Sequence, residues 1–231
     1  MRRQLYDLAG AEPERRFSPY CWRIKFALAH KGLEVDTIPW RFTDKKAIAF
    51  SGQERVPVLV DGDRVVSDSW KIAAYLEESY PDRPSLFGGP VGLAVTCFVN
   101  SWADSIVNTG IVRLLASDIL AHLHEKDQAY FRESREKRFG MKLEDVSANR
   151  DKRVIEFRQS LEPARITLRA QPYIGGNSPT YADYIILGSF QWARCISNFR
   201  LLAPDDILTK WRDRLLNSFD DIVRDMPSYT A

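Results

Sequence analysis

Cysteine is scarce in this chain of 231 residues, which contains three. Cys21, Cys97 and Cys195 stand far apart, so the sequence predicts neither a disulfide framework nor a cysteine metal site. The three histidines also lack the spacing of metal ligands, and we expect no metal cofactor. Unpaired thiols are typical of reducing compartments, which favours a cytoplasmic protein.

Excess charge of either sign is missing, and so are long apolar runs. The 33 Lys and Arg residues nearly balance the 31 Asp and Glu residues, and the two signs are mixed along the chain. Binding to nucleic acid or to an anionic membrane needs clustered basic surface, so we expect neither partner. No apolar run reaches the roughly 20 residues that cross a bilayer. The length exceeds the roughly 100 to 200 residues of one domain, which favours two domains.

The first informative motif is Ser18-Pro19-Tyr20-Cys21, which precedes a run of helical spacing over 22–30. Redox proteins place two thiols on the first turn of such a helix, but here the first position is serine, so no dithiol forms. A hydroxyl at a helix N-terminus either caps the helix or stabilises an anion there. Cys21 is interpreted as a small buried residue, with a reactive thiol as the alternative.

The second motif surrounds a predicted hairpin. Two β-branched runs are separated by Asp61-Gly62-Asp63, a sequence that favours a tight turn. Pro57 at the start of the first run donates no ladder hydrogen bond, and we expect a cis peptide between Val56 and Pro57. Asp68 and Ser69 precede a run of helical spacing, where they either cap the helix or hold the charged end of a ligand.

Strand signals end at a connector rich in proline and glycine, over 80–90. Helical periodicity follows, so we predict domains over 1–81 and 92–231. Thr180 and Asp183 stand before an apolar run at the spacing of a capping box. The basic run 132–138 also carries glutamates and is interpreted as a solvated helix face.

Taken together, these motifs resemble the glutathione transferases. The predicted order of a βαβ unit followed by a ββα unit resembles their thioredoxin-like half. The motif set is most similar to the Ser-type, β-etherase-like class, which includes bacterial lignin β-aryl-ether-cleaving enzymes and fungal relatives. The segments that carry this similarity are Ser18-Pro19-Tyr20-Cys21-Trp22-Arg23, Glu54-Arg55-Val56-Pro57-Val58 and Asp68-Ser69-Trp70.

The resemblance implies a thioredoxin-like α/β domain with a mixed four-stranded sheet, followed by an all-α domain. It implies an enzyme that uses glutathione as co-substrate, with Ser18 donating a hydrogen bond to the thiolate. The main chain of Val56 would pair with the cysteinyl part of the tripeptide, and Pro57 would hold that geometry. Asp68 and Ser69 would hold the γ-glutamyl end.

The resemblance also implies partners and a second substrate. The protein is expected to be a homodimer that attacks a hydrophobic, aromatic electrophile, with β-aryl-ether cleavage as one such reaction. Two alternatives stay open: a carrier that binds glutathione or phenolic ligands without catalysis, and a glutathione-dependent thiol oxidoreductase that uses Cys21. The expected pocket residues for the second substrate are Tyr20, Trp40, Phe42, Trp102 and Ile106.

Overall fold

The computed structural model describes residues 2–229. Its first part alternates strands and helices, with one 3-10 segment between the second and third strands. The elements are β1 (Arg3–Leu8), α1 (Pro19–His30), β2 (Val35–Trp40), the 3-10 segment Lys45–Ser51, β3 (Val58–Asp61), β4 (Arg64–Ser67) and α2 (Ser69–Ser79).

The four strands form one mixed sheet in the order β2-β1-β3-β4. β1 runs parallel to β2 and antiparallel to β3, and β4 completes the sheet as the antiparallel partner of β3. The turn between β3 and β4 contains Gly62 at φ 61°, a conformation that glycine adopts without steric cost. The sheet and the hairpin confirm the α/β prediction for this part of the chain.

Within the described residues after Ser67, the regular elements are all helices, and loops join them, with an isolated bridge between Tyr173 and Gly176. This confirms the expected all-α part, while the limits 1–81 and 92–231 stay a prediction. The elements are α3 (Pro90–Trp102), a π-helical turn (Ala103–Asn108), α4 (Thr109–Ala121), α5 (Glu125–Phe139), α6 (Leu143–Val146), α7 (Arg150–Ser160), α8 (Glu162–Ala170), α9 (Tyr181–Ile196), α10 (Ile207–Ser218) and α11 (Asp220–Val223).

One continuous helical segment, Pro90–Ala121, comprises α3, the π-helical turn and α4. Its 32 residues are long and apolar enough to cross a membrane by length and composition alone. α4 contributes buried residues to the core, whereas α3 leaves much of its apolar surface exposed. The apolar character of the segment therefore has two origins, a core helix and an uncovered helix face.

The central helix α9 fixes the start of α1, because the two helices pack unusually closely. A Cβ atom at Gly188 of α9 would lie 2.7 Å from the carbonyl oxygen of Pro19 and 3.1 Å from the backbone nitrogen of Arg23. Glycine is therefore required at this crossing. The crossing joins the helical part of the molecule to the residues that begin α1.

A buried carboxylate holds the start of α9. Asp183 accepts hydrogen bonds from the backbone N–H groups of Ile174 (2.8 Å), Gly175 (3.0 Å) and Thr180 (3.0 Å), and from Nε1–H of Trp211 (2.9 Å). The capping box predicted for Thr180 and Asp183 is therefore present. The same carboxylate also fixes the preceding loop and α10, so its role extends beyond one helix end.

Candidate functional site

A cleft of about 470 Å³ opens where the two parts of the molecule meet. Its walls come from the start of α1, the segments beside β2 and β3, and helices α4, α5 and α9. The lining residues are Leu8, Phe17, Ser18, Pro19, Tyr20, Trp40, Phe42, Glu54, Arg55, Val56, Asp104, Asn108, Thr109, Val112, Ile119, Tyr130, Phe131, Ser134, Arg135, Arg138 and Trp192.

Ser18 is the N-cap of α1 and also lines the cleft. Its backbone is extended, and its Oγ accepts a hydrogen bond of 3.2 Å from the backbone N–H of Cys21. The Cys21 thiol also hydrogen-bonds to this hydroxyl, and rotation about the Cβ–Oγ bond directs the proton to a ligand in the cleft instead. Both interpretations of Ser18 are thus compatible, because capping uses an oxygen lone pair and ligand binding uses the proton.

Cys21 lies beneath this serine and is fully buried. Its Sγ lies 3.9 Å from the carbonyl oxygen of Tyr6. Burial and the neighbouring Asp7 carboxylate raise the pKa of the Cys21 thiol well above its usual value. Because the thiolate is the reactive form, this environment disfavours thiol exchange at Cys21.

Val56 reaches the cleft from the segment before β3. The peptide between Val56 and Pro57 is cis, which confirms that prediction. Ladder pairing of β3 begins at Val58, so the main chain of Val56 lies outside the sheet while its residue lines the cleft. In the part of the chain that the structure describes, the backbone groups of Val56 pair with no other backbone group, so an extended ligand in the cleft has access to them.

Asp68 and Ser69 follow β4 and lie outside the residues that line the cleft. Asp68 Oδ1 accepts hydrogen bonds from the backbone N–H groups of Trp70 (3.0 Å) and Lys71 (3.1 Å), so it caps α2. The buried Ser69 accepts a hydrogen bond on its carbonyl oxygen from the Tyr181 hydroxyl. Asp68 has a φ of 78°, an uncommon value for a residue other than glycine and one that is often associated with ligand sites.

The hairpin register relates these residues to Val56. Val58 of β3 pairs with Ser67 of β4. The segment before Val58 and the segment after Ser67 therefore lie at the same end of the hairpin. This places Asp68 and Ser69 on the Val56 side, as one tripeptide would require, although their roles in binding stay a prediction.

Three of the five residues predicted for the second-substrate pocket, Tyr20, Trp40 and Phe42, line the cleft. The other two do not: Trp102 is half-buried against the core, and Ile106 is exposed on the π-helical turn. Helical spacing alone does not show which face of α3 and of the π-helical turn points toward α1, and contact of Trp102 and Ile106 with a substrate stays a prediction.

Phe42 is the centre of an aromatic wall. Its ring centroid lies 5.8 Å from that of Phe131, 6.1 Å from Tyr130, 6.4 Å from Trp40 and 6.5 Å from Phe17. All five rings line the cleft. Tilted and edge-on contacts at these distances are favourable for aromatic rings and suit an aromatic ligand.

Asp127 of α5 fixes the position of this wall. The fully buried carboxylate accepts hydrogen bonds from the backbone N–H groups of Phe42 and Thr43, both at 3.0 Å, and from the Thr43 hydroxyl at 2.7 Å. These bonds attach the segment after β2 to the helical part of the molecule. The aromatic side of the cleft is consequently built by both parts of the chain.

Tyr20 also lines the cleft, where it contacts the ion pair between Arg23 and Asp104. The Arg23 guanidinium lies 4.8 Å from the Tyr20 ring centroid and 2.7 Å from Asp104. Burial, reinforced by Asp104, raises the pKa of the Tyr20 phenol, so the hydroxyl stays protonated at neutral pH. Arg23 also donates to Asn100, and it acts as a structural link between α1, α3 and the π-helical turn.

Helix α5 supplies residues that the sequence pattern did not reveal. The expectation of a solvated face over 132–138 is correct for Arg132, which pairs with Glu136 and Glu144. It is wrong for Arg135, which packs against the aromatic wall, whereas Arg138 is exposed to solvent and also lines the cleft. Their spacing from Phe131 places all three on one helix face, but the sequence does not show that this face meets the segment after β2.

Comparison with known proteins places these features in a family. Residues 17–79 match the family described as glutathione S-transferase, N-terminal domain, and residues 94–219 match glutathione S-transferase, C-terminal domain. The chain belongs to the glutathione S-transferase superfamily.

Individual relatives agree with this assignment. Glutathione S-transferase Z1 of Arabidopsis thaliana is 39% identical over 111 residues, which are 45% of this chain and 48% of that protein. Probable glutathione S-transferase GSTU6 of Oryza sativa subsp. japonica is 24% identical over 85% of this chain and 80% of its own length. The chain therefore spans about half the length of the first of these relatives.

A solved structure extends the similarity over nearly the whole chain. The glutathione S-transferase CsGST63524 of Ceriporiopsis subvermispora, crystallised in complex with glutathione, has a TM-score of 0.81 and 25% sequence identity. The match covers 96% of this chain and 98% of the other. The arrangement of sheet and helices described above is thus the glutathione transferase fold.

Proposed function

We propose that this chain is a glutathione transferase in which Ser18 activates the glutathione thiolate for attack on an aromatic electrophile. The observation that carries the proposal is the geometry of Ser18: its Oγ caps α1, and its hydroxyl lines an aromatic-walled cleft. The structure of a fungal relative in complex with glutathione supports the choice of co-substrate.

Thiol chemistry explains why a donor at this position matters. A free cysteine thiol has a pKa of about 8.5, so most glutathione is protonated at neutral pH. A hydrogen bond from Ser18 and the positive end of α1 both favour the thiolate. Ser18 keeps its own proton in this step, and the thiol proton leaves to solvent.

The tripeptide would lie along the end of the hairpin. The unpaired main chain of Val56 would bind its cysteinyl part, with Pro57 fixing the segment. Asp68 and Ser69 would bind the γ-glutamyl end, where the Asp68 carboxylate has a second oxygen that caps nothing in α2. The sulfur would then point toward Ser18 and the cleft.

The second substrate would bind against the aromatic wall around Phe42. β-Aryl-ether cleavage is one reaction that suits this site: the thiolate forms a carbon–sulfur bond, and the carbon–oxygen bond breaks with its electron pair moving to the phenolate. The negative charge of the thiolate thus passes to the phenolate, which takes up a proton from solvent in place of the one that the thiol released. Tyr20, protonated and lining the cleft, is placed to donate toward a departing oxygen.

Product analysis tests this function. The chain is incubated with glutathione and either 1-chloro-2,4-dinitrobenzene or a phenacyl ether of 4-methylumbelliferone, and the conjugate, chloride or phenol is measured. We expect enzyme-dependent release from at least one of them. Glutathione binding by calorimetry without any conjugate formation would instead indicate a carrier, and reduction of a glutathione mixed disulfide would indicate an oxidoreductase.

We also propose that two copies of the chain associate through the exposed apolar face of α3. Val91, Val95 and Phe98 are 79%, 60% and 74% exposed on this helix, and Val65 of β4 is also exposed. Apolar surface of this kind marks association sites. Light scattering on the unaltered protein is expected to give twice the 26.6 kDa mass of one chain. The Phe98→Glu variant should give the mass of a single chain, because the charged side chain disrupts the apolar contact. A single-chain mass for the unaltered protein at micromolar concentration contradicts the proposal.

A further inference from the structure

The cleft carries an unbalanced positive charge. Arg55, Arg135 and Arg138 all line it, and within residues 2–229 none of the three has a carboxylate within ion-pairing distance. The two carboxylates that line the cleft are already paired, because Glu54 lies 2.8 Å from Lys45 and Asp104 lies 2.7 Å from Arg23. The charges that remain are three guanidinium groups.

Arg135 is the best-positioned of the three. Its guanidinium lies 4.7 Å from the Phe131 ring centroid and 5.4 Å from that of Phe42, so aromatic faces hold it in place. It donates to the Ser134 hydroxyl at 2.9 Å, and its other N–H groups have no acceptor in the described part of the chain. Burial lowers the pKa of Arg135; Tyr130 opposes this shift, and the positive charges of Arg138 and Arg55 add to it.

We infer that the electrophile bound in this cleft is an aromatic acid, whose ring packs on the wall around Phe42 and whose anionic group is bound by Arg135 and Arg138. Guanidinium groups match planar carboxylates and bind them through two parallel hydrogen bonds. An anion there replaces the repulsion among the arginines with attraction. The substrate class rests on the proposed glutathione transferase function, whereas the anion site itself does not.

Glutathione has carboxylates of its own, so the anion site has to be distinguished from the tripeptide site. Arg55 directly precedes Val56 and is the arginine nearest to the proposed tripeptide position. Arg135 and Arg138 come from α5 on the helical side of the cleft. We therefore assign the substrate anion to the α5 pair, and binding is to be measured with the cleft already holding saturating S-methylglutathione, which has no free thiol.

Equilibrium binding of a matched pair of unreactive ligands tests the inference. Binding of 3,5-dinitrobenzoate and of 3,5-dinitrobenzamide is followed by calorimetry on the whole chain. We expect the dissociation constant of the benzoate to be lower by about fivefold or more, the scale of one partly exposed charge pair. Arg138→Gln and Arg135→Gln should each reduce this preference by about two- to fivefold.

The chain offers a matched control at Arg113. Its guanidinium lies 5.9 Å from the Phe139 ring centroid, much as that of Arg138 lies at 5.6 Å, but Arg113 is outside the cleft lining. Arg113→Gln removes one positive charge near the Phe139 ring, as Arg138→Gln does, and should leave the preference for the benzoate unchanged. Arg138 is exposed, so Arg138→Gln stays informative even where Arg135→Gln disturbs folding.

Conjugation is then measured separately with 4-chloro-3,5-dinitrobenzoate. Glutathione forms a carbon–sulfur bond at the ring carbon that bears chlorine, chloride leaves with the bonding pair, and the thiol proton passes to buffer. Preferential benzoate binding without chloride release would contradict the proposed function and leave the anion site intact. Equal dissociation constants for benzoate and benzamide, or a preference that survives both arginine substitutions, would overturn the anion site even where chloride is released.

Discussion

Ser18→Ala is expected to slow glutathione conjugation by about ten- to a hundredfold while glutathione binding is largely retained. One hydrogen bond to a charged acceptor contributes roughly 1.5 to 3 kcal/mol, which is about that factor in rate when the bond is fully formed in the transition state. Binding is retained because the tripeptide would be held chiefly by Val56, Asp68 and Ser69. The measurements are kcat for conjugation and the calorimetric dissociation constant for glutathione.

A second substitution separates the two roles of Ser18. Alanine removes both the hydroxyl donor and the cap that accepts from Cys21 N–H, and the lost cap costs about 1 kcal/mol of stability. Glycine also lacks the hydroxyl but costs only a few tenths of a kcal/mol at an N-cap. Ser18→Gly and Ser18→Ala should therefore be equally slow and unequally stable. Rates that follow stability instead would show that Ser18 acts only as a cap.

Asp183→Ala should lower the free energy of unfolding by about 3 kcal/mol or more, the largest stability effect we expect from one substitution. The carboxylate is fully buried and accepts four hydrogen bonds, from three backbone N–H groups and from Trp211. Alanine leaves these donors without an acceptor, and each unsatisfied buried group costs roughly 1 to 3 kcal/mol. Denaturant unfolding followed by circular dichroism measures the change.

Two control variants show whether the stability loss of Asp183→Ala comes from the lost hydrogen bonds. Asp183→Asn keeps one acceptor oxygen and places an NH₂ group against the remaining donors, so its loss should be smaller but still clear. Asp205→Ala removes an exposed carboxylate on the loop before α10 and should change stability by less than about 0.5 kcal/mol. A loss below about 1 kcal/mol for Asp183→Ala would mean that the loop over 174–180 and Trp211 find other acceptors.

The features that the sequence predicts well are local. The turn at Gly62, the helix start at Ser18 and the capping box at Asp183 depend on residues within a few positions of one another. Each residue type there has one dominant conformational or hydrogen-bonding preference. The succession of these local signals is also sufficient to indicate the mixed sheet followed by helices.

The features that the sequence does not reveal depend on contacts between distant segments. Asp127 binds the main chain of Phe42 across 85 positions, and nothing in the pattern around either residue indicates the other. Arg135 stands in a run of alternating charge that is typical of a solvated face. The docking of α5 on the segment after β2 makes it a cleft residue.

The most direct test of the account is the pH titration of the bound glutathione thiolate, followed by its ultraviolet absorbance in the unaltered protein and in Ser18→Ala. We expect the bound thiol to have a pKa below the usual value of about 8.5 in the unaltered protein. Loss of a bond of roughly 1.5 to 3 kcal/mol should raise that pKa by about one to two units in Ser18→Ala. The same titration midpoint in both proteins would contradict activation by Ser18 and would assign it to another donor, Tyr20 or a backbone N–H group.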